Sequence, residues 1–264
     1  MRKIGDKLLN DFFTLDAPSN QMTLDLLGAK WISHVPAENS ITGNIPLFED
    51  GRIQWLVEKV KISDLKVLEL GSFEGGHSFL LSKNGANVTG VESNSLSFMK
   101  SLIAKEILNH DAKFLYGDLL KYLEMCDDYD LIVASGVLYH MENPVELLCR
   151  IALKTNRIFL WTHYFDPDVK NWNKEAAERV GDKFALGGDI ATYSNFSFPV
   201  VTQSYLESLQ LKEFCGGPTD KSSWMFRGDI IDLLKKLGFG RLEVVMENID
   251  HIHGPSFAIY ADKG

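Results

Sequence analysis

The chain has 264 residues, of which 45% are hydrophobic and 24% charged, and its formal net charge at pH 7 is −9. This length accommodates one large α/β domain with insertions or two small domains, and the composition is that of an ordinary globular protein. The net negative charge disfavours binding to the phosphates of a nucleic acid, so a small-molecule partner is expected.

The first 60 residues precede the first strand-like segment, and we expect them to form a helical cap over the core. The start of the chain, Met1 to Lys7, is charged where a secretory signal would be apolar, so the expected location is cytoplasmic. Because no run of about 18 apolar residues occurs, no membrane span is expected.

Residues 61–163 alternate strand-like with helix-like segments, which is the pattern of a parallel sheet covered by helices on both faces. The predicted strands are 66–70, 86–92, 112–116, 129–135 and 157–163. The predicted helices between them are 75–84, 95–109, 119–126 and 144–154.

Residues 164–226 break this pattern, because they are rich in aromatic side chains and loop-forming residues. We expect an insertion that covers the acceptor as a lid. Its rings either line an apolar or sugar-stacking pocket or form a small core of the insertion itself. These rings are Trp172, Tyr193, Phe196, Phe198 and Trp224. The candidate hinges are Gly187-Gly188 and Gly216-Gly217-Pro218.

Residues 227–264 resume as an amphipathic helix, 227–238, and two strands, 241–247 and 256–261, joined by a link short enough to require antiparallel pairing. The expected fold is therefore α/β: a doubly wound, mostly parallel, Rossmann-like sheet of seven strands, the last one antiparallel. The N-terminal cap and the insertion after the fifth strand complete it.

The turn after the first strand is the most informative segment, because Gly71 and Gly75 would let the backbone approach a ligand closely. Glu92 ends the second strand, where a carboxylate can accept hydrogen bonds from ribose hydroxyls. Glu69 and Glu74 would repel a pyrophosphate but would suit a sulfonium and an ammonium. The turn therefore argues against a nicotinamide dinucleotide and for a cationic nucleoside.

These motifs, in this order, resemble those of class I S-adenosylmethionine-dependent methyltransferases. Glu69-x-Gly71-x-x-x-Gly75 is similar to the family's first motif, and Gly117-Asp118 to its adenine motif. The sequence departs from the family at Phe73, where the middle glycine usually stands. The resemblance implies S-adenosylmethionine as cofactor, held by Glu69, Gly71, Ser72, Phe73, Gly75, Glu92, Ser93, Asp118, Leu119 and Ser135.

Tyr139 and His140 resemble the Tyr-His pair that many family members carry after the fourth strand, with Tyr139 beside the cofactor and His140 facing the acceptor. If the acceptor is a hydroxyl, a base must remove its proton, and histidine titrates in the right range. The candidate catalytic residues are Tyr139, His140 and His163, with His140 slightly favoured as the base. His251 and His253 open at the same end of the sheet, where a scaffold role is expected.

No metal is expected, because Ser135 stands where metal-assisted O-methyltransferases carry an acid. The leading interpretation is O-methylation of a saccharide or secondary-metabolite hydroxyl by a protein that could form a homodimer. Two alternatives stay open: an alkyltransferase that modifies wobble uridines of transfer RNA, which Val137-Leu138-Tyr139-His140 also resembles, and a non-catalytic S-adenosylmethionine-binding protein.

Overall fold

The computed structural model describes residues 14–28, 30–168, 172–181, 188–205 and 216–264. In chain order its strands are β1 Lys66–Leu70, β2 Asn87–Glu92, β3 Lys113–Tyr116, β4 Leu131–Ser135, β5 Arg157–His163, β6 Asp189–Tyr193, β7 Phe196–Ser204, β8 Lys221–Met225, β9 Arg241–Asn248 and β10 Ser256–Asp262. The main helices are α1 Asn20–Asp25, α2 Gly51–Lys59, α3 Gly76–Lys83, α4 Ser95–Leu108, α5 Leu119–Met125, α6 Pro144–Ala152, α7 Lys174–Gly181 and α8 Arg227–Lys236. Short 3₁₀ turns cover Leu47–Glu49 and Leu138–His140.

A seven-stranded sheet in the order β3-β2-β1-β4-β5-β10-β9 forms the centre of the molecule. The strands β1 to β5 pair in parallel. The last strand, β10, runs antiparallel to both β5 and β9. The predicted fold is confirmed, including the antiparallel last strand.

Alternate residues of the central strands pack into two cores on opposite faces of the sheet, as the period of a strand requires. Leu68 and Leu70 of β1 face the core that contains α6 and α8, whereas Val67 faces the core that contains α2 and α3. Both faces are apolar because helices cover both, which explains the nearly continuous hydrophobic runs in the sequence.

The predicted elements differ from the observed ones mainly at their ends. The strand predicted to begin at Tyr129 begins at Leu131, because Tyr129 forms only an isolated bridge to Thr155. At the start of α6, the Asn143 side chain accepts a hydrogen bond from the backbone N–H of Glu146, and Pro144 opens the helix.

The described part of the insertion is more regular than a loop. It contains α7 and a three-stranded antiparallel sheet in the order β6-β7-β8. The five aromatic rings do not line the main cavity: Trp172 and Trp224 pack with Phe165, and the other three pack against the main core. Only Trp172 and Trp224 therefore belong to a small core of the insertion, whereas Tyr193, Phe196 and Phe198 contribute to the main core. The proposed hinge residue Gly187 lies outside the described residues.

Glu74, interpreted from the sequence as an acid for a cationic ligand, has a different role. Its fully buried carboxylate accepts hydrogen bonds from Lys100 Nζ at 2.7 Å and from the backbone N–H of Ser33 at 2.7 Å and Ile32 at 3.2 Å. The group therefore anchors the N-terminal segment to α4. The electrostatic argument for a cationic ligand holds only for Glu69.

Candidate active site

The turn between β1 and α3 takes left-handed backbone conformations at its key positions. Gly71 has a φ of 69°, and a Cβ there would stand 2.6 Å from Val137 Cγ2. Phe73 has a φ of 49°, the region that favours glycine, which explains why glycine is usual at this position. Gly75 faces Phe114 and Ser101, so its lack of a side chain serves the packing of α3.

Glu92, at the end of β2, is hydrogen-bonded to this turn. Its carboxylate accepts hydrogen bonds from the backbone N–H of Phe73 and of Asn94, each at 2.7 Å. Burial raises the pKa of Glu92, and the backbone hydrogen bonds oppose that rise. Each oxygen keeps a further lone pair for a ligand hydroxyl.

Glu69 is buried at the end of β1 and faces the same cavity. Ser78 Oγ donates a hydrogen bond to one of its oxygens, and His77 Nδ1 stands 3.4 Å from the other. The second ring nitrogen of His77 contacts Asp50 Oδ2 at 2.9 Å. Burial alone would lower the pKa of His77, but its carboxylate partners Asp50 and Glu69 outweigh burial and raise it.

Asp50 extends this chain of charges to Arg52, at the start of α2. Nε of Arg52 donates to Asp50 at 2.9 Å, and a second guanidinium nitrogen forms a short bond to the same carboxylate. Burial acts to raise the pKa of Asp50, but the bonds from Arg52 and His77 hold it well below its usual range. Sequence reasoning missed Asp50 and Arg52, because no motif marks them and they precede the alternating strand and helix pattern.

A single cavity of about 640 Å³ joins these groups to the end of the sheet. It includes most predicted cofactor residues but neither Gly75 nor Asp118. Asp118 caps α5 by accepting a hydrogen bond from the backbone of Lys121 at 2.9 Å, so the cavity is bordered there by Leu119. The predicted site residues that line it are Glu69, Gly71, Ser72, Phe73, Glu92, Ser93, Leu119, Ser135, Tyr139, His140 and His163.

The half of the cavity away from Glu69 and Glu92, called the far half below, is lined by aromatic rings and imidazoles. Tyr139 lies 4.6 Å from the His163 ring and 5.9 Å from Trp161, as measured between ring centroids. His251 and His253 reach the same region from the turn between β9 and β10. The topology thus brings the predicted catalytic residues together at one end of the sheet.

The two candidate bases differ in how they are held. His163 Nδ1 lies 2.8 Å from the carbonyl oxygen of Gly254, which can only accept, so Nδ1 carries the proton and Nε2 has a free lone pair. Burial, assisted by nearby His251, lowers the pKa of His163 to about 3. His140 Nδ1 pairs with Tyr205 Oη at 2.7 Å, where either atom can donate, and burial lowers its pKa to about 4.

Within the described ranges, no group of three or more His, Cys, Asp or Glu side chains is arranged to hold a metal ion. Similarly, none of the helices described for this chain has the length and apolar character needed to cross a membrane.

The model of the methyltransferase domain family matches residues 61–209, more than half of the chain. The chain is a class I S-adenosylmethionine-dependent methyltransferase. No curated protein matches this methyltransferase in sequence.

Solved structures share the fold of this methyltransferase at low sequence identity. The N-terminal domain of EvdMO1, crystallised in the presence of S-adenosylhomocysteine and D-fucose, is 18% identical with a TM-score of 0.67, covering 92% of this chain and 94% of that one. Magnesium protoporphyrin IX methyltransferase from Synechocystis PCC 6803 is 14% identical with a TM-score of 0.53, covering 98% and 94%. When compared with the structure of the longer EvdMO1 chain, this methyltransferase covers 42% of the length of EvdMO1.

The residues of the cavity fit S-adenosylmethionine. The hydroxyl oxygens of Ser72 and Ser135 are buried without a hydrogen-bond partner among the described residues, and both residues line the cavity. Buried polar groups are normally satisfied, so these two indicate where polar groups of a ligand bind. Carboxylates at Glu69 and Glu92 match the ammonium and the ribose of the cofactor.

Proposed function

We propose that this methyltransferase transfers a methyl group from S-adenosylmethionine to a hydroxyl of a small molecule, a saccharide or a secondary metabolite. The observation that carries the proposal is the single cavity, in which the carboxylates of Glu69 and Glu92 lie at one end and His163 at the other. The sulfonium of bound S-adenosylmethionine supplies the electrophilic methyl group. The protein's contribution is to align the acceptor oxygen with that methyl and to remove its proton.

Each end of the cavity has a defined task in this proposal. Glu69 binds the ammonium of the cofactor, Glu92 accepts hydrogen bonds from the ribose, and Leu119 packs beside the adenine. Asp118, which caps α5, keeps one carboxylate oxygen for the adenine amino group. Gly71, by lacking a Cβ, allows the turn to approach the methionine moiety.

His163 is the better candidate for the base. Its tautomer is fixed by the Gly254 carbonyl, so Nε2 is ready to accept a proton, whereas the tautomer of His140 depends on the Tyr205 hydroxyl. The lowered pKa of His163 keeps the ring neutral at pH 7. Tyr139 lies against both imidazole rings and fixes their positions.

Rings and polar groups around the far half of the cavity suit a saccharide. Trp161 and Tyr139 supply apolar faces, and the imidazoles supply hydrogen-bond partners for hydroxyls. The N-terminal domain of EvdMO1 was crystallised in the presence of D-fucose, so free deoxy sugars are the first acceptors to test.

The test measures single-turnover transfer of a radiolabelled methyl group to D-fucose, other monosaccharides and phenolic metabolites. Once an acceptor is found, His163→Gln should slow transfer by about 10²–10⁴-fold without weakening S-adenosylhomocysteine binding, because general base catalysis is worth that much. His140→Gln is the matched control and should slow transfer less. Full activity of His163→Gln, or transfer to transfer RNA and to no small molecule, would refute the proposal.

A further inference from the structure

Arg52 lies in the cavity in a fixed orientation that neither the cofactor motifs nor the histidines explain. Its guanidinium carbon stands 4.2 Å from the centroid of the Trp161 ring, and its Nε edge is held by Asp50. Nη1 has no hydrogen-bond partner in the described part of the chain, and the side chain is 20% exposed. An arginine held on one edge and stacked on its face presents its remaining donors in one direction.

The carboxylate behind Arg52 is shared. Asp50 contacts two basic side chains, the guanidinium of Arg52 and the ring of His77. His77 also contacts Glu69, but the ammonium of the cofactor is expected to take up the charge of Glu69. With cofactor bound, Asp50 is thus the carboxylate that both Arg52 and His77 contact.

Two other acids that line the cavity, Glu247 and Glu92, are engaged with other partners. Glu247 is held by Arg227, whose Nη2 donates to it at 3.0 Å, and by Tyr164 Oη at 3.0 Å. Glu92 is engaged with the backbone of the cofactor turn. The remaining donor edge of a partly buried guanidinium is suited to an anionic oxygen group.

We propose that Arg52 binds a carboxylate or phosphate carried by one of the two ligands of the cavity. The proposal rests on the proposed function, since it assumes that cofactor and acceptor share this cavity. The anion has two possible sources: the methionine carboxylate of the cofactor, or an acidic group on the acceptor such as that of a sugar acid or sugar phosphate.

The experiment uses calorimetry on the full chain and separates the two sources without turnover. Wild type, Arg52→Gln and Arg52→Lys are titrated with S-adenosylhomocysteine and with its decarboxylated analogue. The proteins saturated with S-adenosylhomocysteine are then titrated with inorganic phosphate, with sodium chloride of equal ionic strength as control. Thermal melting of each variant without ligand checks that it folds.

If the cofactor carboxylate is the ligand, Arg52→Gln weakens S-adenosylhomocysteine binding by about tenfold or more and leaves the decarboxylated analogue unchanged. If the anion belongs to the acceptor, S-adenosylhomocysteine binds all three proteins alike, and phosphate binds wild type but not Arg52→Gln. Arg52→Lys should retain part of either effect, because it keeps the charge but not the planar fork.

Equal weakening of S-adenosylhomocysteine and its decarboxylated analogue in Arg52→Gln would mean a structural role and would overturn the inference. No change in any titration would overturn it as well. Failure of wild type to bind S-adenosylhomocysteine at all would instead count against the proposed function, so the two failures are distinguishable.

Discussion

The buried ion pair between Glu74 and Lys100 yields a sharp prediction about stability. Replacement of Lys100 by Met removes a cation that is only 4% exposed and leaves the fully buried Glu74 carboxylate with two backbone donors. The variant also loses the bond from Lys100 Nζ to the Lys30 carbonyl at 2.6 Å. Breaking a buried pair in this way costs about 3–5 kcal/mol, which is a large part of the roughly 5–15 kcal/mol that stabilises a typical domain.

The assay is urea denaturation at pH 7, followed by circular dichroism. Lys100→Met should lower the free energy of unfolding by about 3–5 kcal/mol, whereas Lys59→Met, at an exposed site in α2, should change it by less than about 0.5 kcal/mol. The double variant Glu74→Gln/Lys100→Met should recover much of the loss, because the uncompensated charge is gone. A loss below about 1 kcal/mol for Lys100→Met, or a double variant no more stable than the single one, would refute the reasoning.

Three further predictions concern the acid sensitivity of the fold, the cofactor turn and metals. Burial, with the nearby charge of Lys105, lowers the pKa of His110 to about 4, so between pH 6.5 and pH 4 the unfolded chain binds a proton that the folded one does not. As the pH falls over that interval, wild type should lose about 2–3 kcal/mol of its free energy of unfolding because of this group. Denaturation measured at pH 7 and at pH 4.5 should show a smaller loss for His110→Phe than for wild type. Gly71→Ala should weaken S-adenosylhomocysteine binding in calorimetry by at least about tenfold, because of the positive φ at this position and the clash of the new Cβ with Val137. Adding Val137→Ala to this variant should restore only part of the binding, because the strain of the positive φ remains. Exhaustive EDTA treatment should leave methyl transfer unchanged, and activity restored only by added metal would contradict this.

The sequence predicted the central sheet well because its strands and turns follow local rules. A buried strand, a glycine turn and an acid at the next strand end are all readable from a few neighbouring residues. Their order placed Glu69, Glu92 and Leu119 around one cavity, as the structure has them. These features depend on the period of the strands and on sheet topology, which the sequence contains directly.

What the sequence could not show depends on contacts between distant segments. Glu74 lies within the cofactor turn, yet its carboxylate is directed towards Lys100 and the N-terminal segment. Arg52 enters the site from a helix that precedes the sheet, so no spacing rule connects it to Trp161. The strands β6 to β8 were not predicted, because their aromatic residues are equally typical of a loop-rich insertion.

The insertion has a consequence for how this enzyme could be re-engineered. The backbone N–H of Ser223 in β8 donates to the carbonyl of Met141, which lies outside the insertion, at 2.8 Å. Side chains of β6 and β7, among them Ala191 and Phe198, share the main core with α6. The small sheet is thus not a detachable module that could be exchanged as a cassette between related enzymes. A change of acceptor is better sought by replacing single side chains around the cavity, which leaves these shared contacts intact.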